Sequence, residues 1–198
     1  SEKVFIMKRL LLILILTFSF QSFTKADDIR DFQIEGISIG DSLLDFYNIE
    51  EILIANKTFI GKNKKFHRIN FVLNNSDNYD GIAFYIKTND KSYLVYSLEG
   101  IKLIKYGECK KTQKKIANEL KTFFSNVVEN SYEDKHPQDI EADSIFYSID
   151  FDLKDGNVAR IICTNWSKKM EDKNYNDSLA VYLYNSEFSS WLNNEAYK

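Results

Sequence analysis

Residues 143–166, DSIFYSIDFDLKDGNVARIICTNW, leave the backbone few choices. Ile145, Tyr147, Ile149, Phe151 and Leu153 alternate with Phe146, Ser148, Asp150 and Asp152. A period of two sets each group on its own face of a β-strand. KDGN then turns the chain, with a type I′-like geometry expected at Asp155 and Gly156, into the second strand NVARIICTNW. An isolated hairpin is marginal in water, so the rest of the chain has to extend it into a sheet with a buried face.

Further strand signals, rich in aromatic and β-branched residues, occur in FHRINFVL (66–73), GIAFYIK (81–87), SYLVYSLE (92–99) and SLAVYLYN (178–185), with IKLIKY (101–106) as another candidate. The period changes in CKKTQKKIANELKTFFSNVV, where Ile116, Leu120, Phe123, Phe124 and Val127 share one helical face, so a long helix is expected near residues 110–128. Ser186 is placed to cap a C-terminal helix reaching Trp191 and Leu192. In IEGISIGDSLLDFYNIEEI (34–52), the pairs Ser42/Asp45 and Asn48/Glu51 have capping-box spacing, which predicts two short N-terminal helices acting as scaffold. ENSYEDKHPQDIEAD (129–143) holds the only proline, Pro137, and no sustained period, and reads as a surface connection. Runs of strands separated by single helices indicate an α+β domain on an antiparallel sheet of about six strands. DGIAFYI (80–86) and DSIFYSI (143–149) echo one another, either as a diverged duplication or as a product of biased composition.

Lys8 and Arg9 precede the apolar run Leu10–Phe20, broken only by Thr17 and Ser19, and then QSFTKA. This is the order of a secretory signal peptide, with Thr24 and Ala26 small enough for the cleavage site. The expectation is a signal peptide over residues 1–26, with its start at Met7, followed by one exported domain over 27–198 in the periplasm or outside the cell. The apolar run is well short of the roughly 20 residues of a membrane span, so no stable span is expected after cleavage. Removing Lys3, Lys8, Lys25, Arg9 and Glu2 takes the net charge from −3 to −6. An acidic chain is not suited to nucleic acid.

The exported part contains both cysteines, Cys109 and Cys163. They are either a disulfide, which export permits, or two buried thiols. Cys163 shares a strand face with Ala159 and Ile161, the inward face if Arg160 points out. His67 and His136 have no ligand partner at helical or hairpin spacing, and no GxSxG, HExxH or phosphate-loop pattern occurs. Asp150 and Asp152 could pair for proton transfer or simply form a solvated face. DFDLKDGN has a calcium-loop flavour, but Lys154 stands where a ligand is needed, and a hairpin turn explains the same residues. No catalytic residue, metal ligand or cofactor is therefore assigned. The strand tyrosines, Tyr85, Tyr93, Tyr96, Tyr147, Tyr182 and Tyr184, are placed either at the core margin or along a binding surface.

DFQIEGISIGDSLLDFY and YGECKKTQKKIANELKTFF, in this order behind a signal peptide, resemble an uncharacterised family of small exported proteins of AT-rich marine alphaproteobacteria. The resemblance covers most of the exported part and implies no activity. The chain is also similar, more weakly, to small outer-membrane assembly lipoproteins of the SmpA type, although it lacks their lipid-bearing cysteine. The expected function is a non-catalytic module that binds a protein or envelope component through a sheet face or edge. The alternative is a small-ligand carrier with its cleft between the long helix and the sheet. An enzyme is the least favoured class.

Overall fold

The structure, a computed structural model, describes residues 28–124, 126–139 and 143–198. The expected signal peptide lies outside the described residues. Among these residues the backbone forms the strands β1 (Asn56–Ile60), β2 (Phe66–Val72), β3 (Gly81–Lys87), β4 (Ser97–Leu103), β5 (Val128–Lys135), β6 (Ile145–Asp152), β7 (Val158–Asn165) and β8 (Ser178–Tyr184). The helices are α1 (Ile49–Ile54), α2 (Tyr106–Phe123), α3 (Lys168–Glu171) and α4 (Ser186–Asn194). All strands join one antiparallel sheet in the order β1-β2-β3-β4-β8-β7-β6-β5. Two four-stranded meanders, each followed by a helix, meet where β4 pairs with β8.

The α+β class and the antiparallel sheet agree with the sequence reading, but the sheet has eight strands rather than about six. The two additional strands are its edges. β5 lies inside the segment read as a surface connection, and every one of its residues is exposed, so no apolar period marks it. β1 is exposed at four of its five positions. In the other direction, SYLVYSLE and IKLIKY merge into the single strand β4. Gly100 sits in the middle of that strand because a Cβ there would come within 2.7 Å of the Tyr79 ring and 2.9 Å of Ile34. The echo between residues 80–86 and 143–149 falls on the third strand of one meander and the second of the other, so it does not align equivalent strands.

Helix boundaries follow caps that are partly remote in sequence. α2 starts at Tyr106 rather than near residue 110, because the Asp177 carboxylate accepts its backbone N–H at 3.2 Å from 71 residues away. Asn48 and Glu51 make the complete capping box expected, each bond 2.9 Å long. Ser42 instead caps one 3-10 turn, Leu43–Asp45, through the N–H of Leu44. α4 is capped by Asn185, whose side chain accepts from Phe188 N–H, and not by Ser186. The KDGN turn has three loop residues: Gly156 N–H bonds to Leu153 O, Leu153 N–H bonds to Asn157 O, and Gly156 has φ of 82°. This is a tight turn closed by a left-handed glycine, not the two-residue type I′ geometry.

Both sheet faces are covered, and alternation along β8 shows how. Leu179, Val181 and Leu183 enter the larger core under α2 and the N-terminal segment. Tyr182 and Tyr184 point the other way, toward Phe66, Phe188 and Trp191 beneath α4. The chain end closes this second core, with Ala196 fully buried and its carbonyl accepting Lys62 N–H at 2.7 Å. Gly61, at φ 66°, allows that approach, since a side chain there would overlap the Ala196 carbonyl.

Candidate functional site

Three places in the molecule gather chemistry: a polar row on the α4 face, the space around α2, and the β1 end of the sheet. The row follows directly from register. Glu99 of β4 faces Tyr182 of β8, Tyr182 faces Arg160 of β7, and Arg160 faces Asp150 of β6. Arg68 of β2 donates from Nε and Nη2 to Glu99 Oε2 at 3.1 and 2.8 Å, and the Tyr85 hydroxyl donates to the same oxygen at 2.9 Å. Arg160 grips Asp150 with two bonds of 2.9 and 2.6 Å, and the Ser148 hydroxyl adds a third at 2.5 Å.

Burial would lower both guanidinium groups, but Glu99 beside Arg68, and Tyr184 with Asp150 beside Arg160, more than offset it and hold both above the ordinary value. Burial, reinforced by Glu99, pushes Tyr85 and Tyr182 well above the ordinary phenol value. At neutral pH the row is therefore a closed set of charge pairs and protonated tyrosines spanning the β4–β8 seam. What it does chemically is satisfy buried charge within each meander, on either side of the seam. Only four arginines occur in this lysine-rich chain, and two of them make these forked pairs, where a planar guanidinium fits and an ammonium does not. That scarcity is the sequence signal for the row.

The residues singled out in the sequence are brought together only in part. Cys109 of α2 and Cys163 of β7 form a disulfide with their Cα atoms 5.8 Å apart. Cys163 lies in the same core as Ala159 and Ile161, but Arg160 faces the second core and its ion pair rather than open solvent. Asp150 and Asp152 do not act as a pair. Asp150 is buried against Arg160, whereas Asp152 is exposed and accepts from Asn130 at 2.9 Å. His67 is on β2, while His136 follows β5 at the opposite edge and packs on Trp166 with ring centroids 4.1 Å apart. Among the described residues, no group of three or more His, Cys, Asp or Glu side chains converges as a metal site. No helix of the described residues is long and apolar enough to cross a membrane.

The space between α2 and the sheet is filled. Cys109, Gln113, Ala117 and Leu120 are buried there, and the Gln113 amide donates to the carbonyls of Tyr147 and Ile161 at 3.0 and 2.8 Å. An open groove of about 660 Å³ lies instead beside the helix, walled by Thr112, Ile116 and Glu119 on one side and by Phe32, Tyr79 and Lys102 on the other.

The two sheet edges differ in chemistry. β5 carries Glu129, Glu133, Asp134 and Lys135 on its exposed length, and Glu129 pairs with Lys121 at 2.5 Å. Charge of this kind discourages another strand from adding. β1 has one charged residue, Lys57, and its Phe59 is 55 % exposed. Leading into β1, the segment 44–54 leaves Leu44, Phe46, Ile49, Leu53 and Ile54 between 43 % and 84 % exposed, while only Ile52 of α1 is fully buried. Isolated exposed apolar residues are ordinary, but five within one short segment form a patch. Ile54 and the 80 %-exposed Val72 also border a shallow groove of about 360 Å³ with Tyr47 and Phe71, whose rings stack at 4.1 Å. The sequence signal was the helix IEEILI itself: six residues with four large apolar side chains cannot bury them all on one face. Comparisons of the chain with protein-family models, with curated proteins and with solved structures find no match.

Proposed function

We propose that this chain is an exported, non-catalytic binding module that receives an extended segment of a partner protein along the β1 edge, with the α1 ridge supplying apolar contact. The observation that carries the reading is the contrast between the edges. One is long and charged; the other is short, nearly uncharged and flanked by Leu53, Ile54 and Val72. Addition of a strand satisfies the open backbone N–H and C=O groups of such an edge, and neighbouring apolar side chains select the partner. The Cys109–Cys163 bridge supports the exported part of the reading, because oxidising compartments are where structural disulfides persist. So does the order of Lys8 and Arg9, the apolar run Leu10–Phe20 and the small residues Thr24 and Ala26, which is that of a secretory signal peptide.

The test is site-specific photo-crosslinking in cells that export the full chain. A crosslinker at position 53 or 58 is expected to give a discrete adduct, and one at position 132 on the β5 edge is not. Adducts from position 132 alone, or from none of the three, would reject the reading.

A further inference from the structure

On the α2 side of the sheet, beyond the core, Lys57, Phe59, His67, Asp90, Lys91 and Tyr93 line a groove of about 420 Å³. That volume is in the range of small-ligand sites. From its chemistry we infer a second binding site, for a small carboxylate with a flat apolar body. The inference does not depend on strand addition at the β1 edge.

The cations are available. Lys57 and Lys91 make no ion pair among the described residues. The one carboxylate facing them, Asp90, is already engaged, with its two oxygens accepting from Ser92 N–H at 2.8 Å and Leu94 N–H at 3.1 Å. The groove therefore retains one uncompensated positive charge.

His67 adds a directed donor. Its Nδ1 is buried and has no hydrogen-bond partner, so a proton there would have nothing to bond. Burial, and secondarily Lys57, lowers its pKa, and the ring is neutral at neutral pH. A neutral ring with a dry Nδ1 carries its proton on Nε2, where it can be donated to an anion. Phe59 gives the apolar wall, 6.0 Å from the imidazole between centroids, with the Lys64 ammonium 5.5 Å from its own ring centre.

The rim is preorganised. Tyr93 has φ of 50° and Asn89 has φ of 69°, and the left-handed region is costly for a bulky aromatic residue. The tyrosine is held there from outside the loop. Its carbonyl accepts Leu43 N–H at 3.0 Å, and the preceding carbonyl, of Ser92, accepts the Ser42 hydroxyl at 2.7 Å. The GDSLLDFY stretch is thus scaffold, and what it props up is the wall of this groove. Strain sustained by surrounding contacts is typical of a ligand clamp.

Titration of the full chain with phenylacetate, followed by NMR of the His67 ring protons, tests the assignment, with phenylacetamide as the neutral isostere. Phenylacetate should shift the His67 signals saturably, and the amide should not. A Lys57→Gln/Lys91→Gln variant, altered only at lysines with no ion pair to lose, should weaken phenylacetate at least about tenfold while its spectrum stays folded. Equal response to acid and amide, no response to the acid, or undiminished binding by the variant would each overturn the proposal.

Discussion

Arg160 and Asp150 are register partners on adjacent strands and hold each other through two parallel bonds, Nε to Oδ1 at 2.9 Å and Nη2 to Oδ2 at 2.6 Å. Their side chains are 24 % and 9 % exposed, so the pair is neither a surface ion pair nor fully dry. A second guanidinium–carboxylate pair lies on the other side of the β4–β8 seam, where Arg68 donates from both Nε and Nη2 to the one oxygen Glu99 Oε2. Each meander therefore carries one such lock where the alternation of β-strands turns a polar position inward.

Asp150→Asn should destabilise the fold by about 3 kcal/mol, because it leaves the largely buried Arg160 guanidinium without its counter-charge and sets an amide NH2 against Nη2 in place of the accepting Oδ2. The double replacement Asp150→Leu/Arg160→Met should recover most of that loss, since a matched apolar pair avoids the desolvation cost. Urea midpoints of the two variants check this. A single variant within about 0.5 kcal/mol of the parent would show that the pair contributes no more than a surface bridge.

The Cys109–Cys163 bridge closes a loop of 54 residues that contains the whole of β5 and β6. By chain entropy alone, such a loop stabilises by about 4 kcal/mol. Reduction, or Cys109→Ser/Cys163→Ser, should lower the urea midpoint accordingly, and the variant chain should no longer respond to reductant. Intact-mass measurement without reductant should find the parent about 2 Da lighter than its reduced form, as expected for one disulfide. Two alkylatable thiols in the exported protein would contradict the bridge.

Legibility in the sequence tracked burial. β6, with Ile149 and Phe151 inside one core, announces itself by period, as does β8, where Val181 and Tyr182 enter opposite cores. β5 is invisible because neither of its faces is buried, so nothing selects apolar residues at alternate positions. The start of α2 is hidden for a different reason: Asp177 caps it across 71 residues, and local spacing cannot encode a contact of that range. The candidate sites follow the same rule. Strand alternation put Cys163 on an inward face but left its pairing with Cys109 open, because that contact is set by how α2 docks on β7, and the groove around His67 depends on Ser42 and Leu43 holding a loop 50 residues away.

His136 should make the protein less stable as the medium becomes acidic. Its ring packs on Trp166 and Phe146, with centroids 4.1 and 6.2 Å away, and its Nδ1 accepts from Gln138 N–H at 3.3 Å. Burial lowers its pKa, and Asp139 only partly offsets this. In the unfolded chain the ring takes a proton near pH 6.5. Between that value and the lower folded one, the unfolded state binds a proton that the folded state refuses, so stability falls as pH drops below about 6.5. His67, lowered by burial and Lys57, acts in the same direction, so the two are separated by variant. His136→Gln should flatten part of the decline between pH 7 and 5 in thermal melts. An NMR titration of the His136 ring in the folded chain should have its midpoint below about 6.5. In a Trp191→Phe background, Trp166 fluorescence should quench over the same interval as the imidazolium forms against it. A midpoint at or above the free-histidine value would mean that the His136–Trp166 contact is open to water.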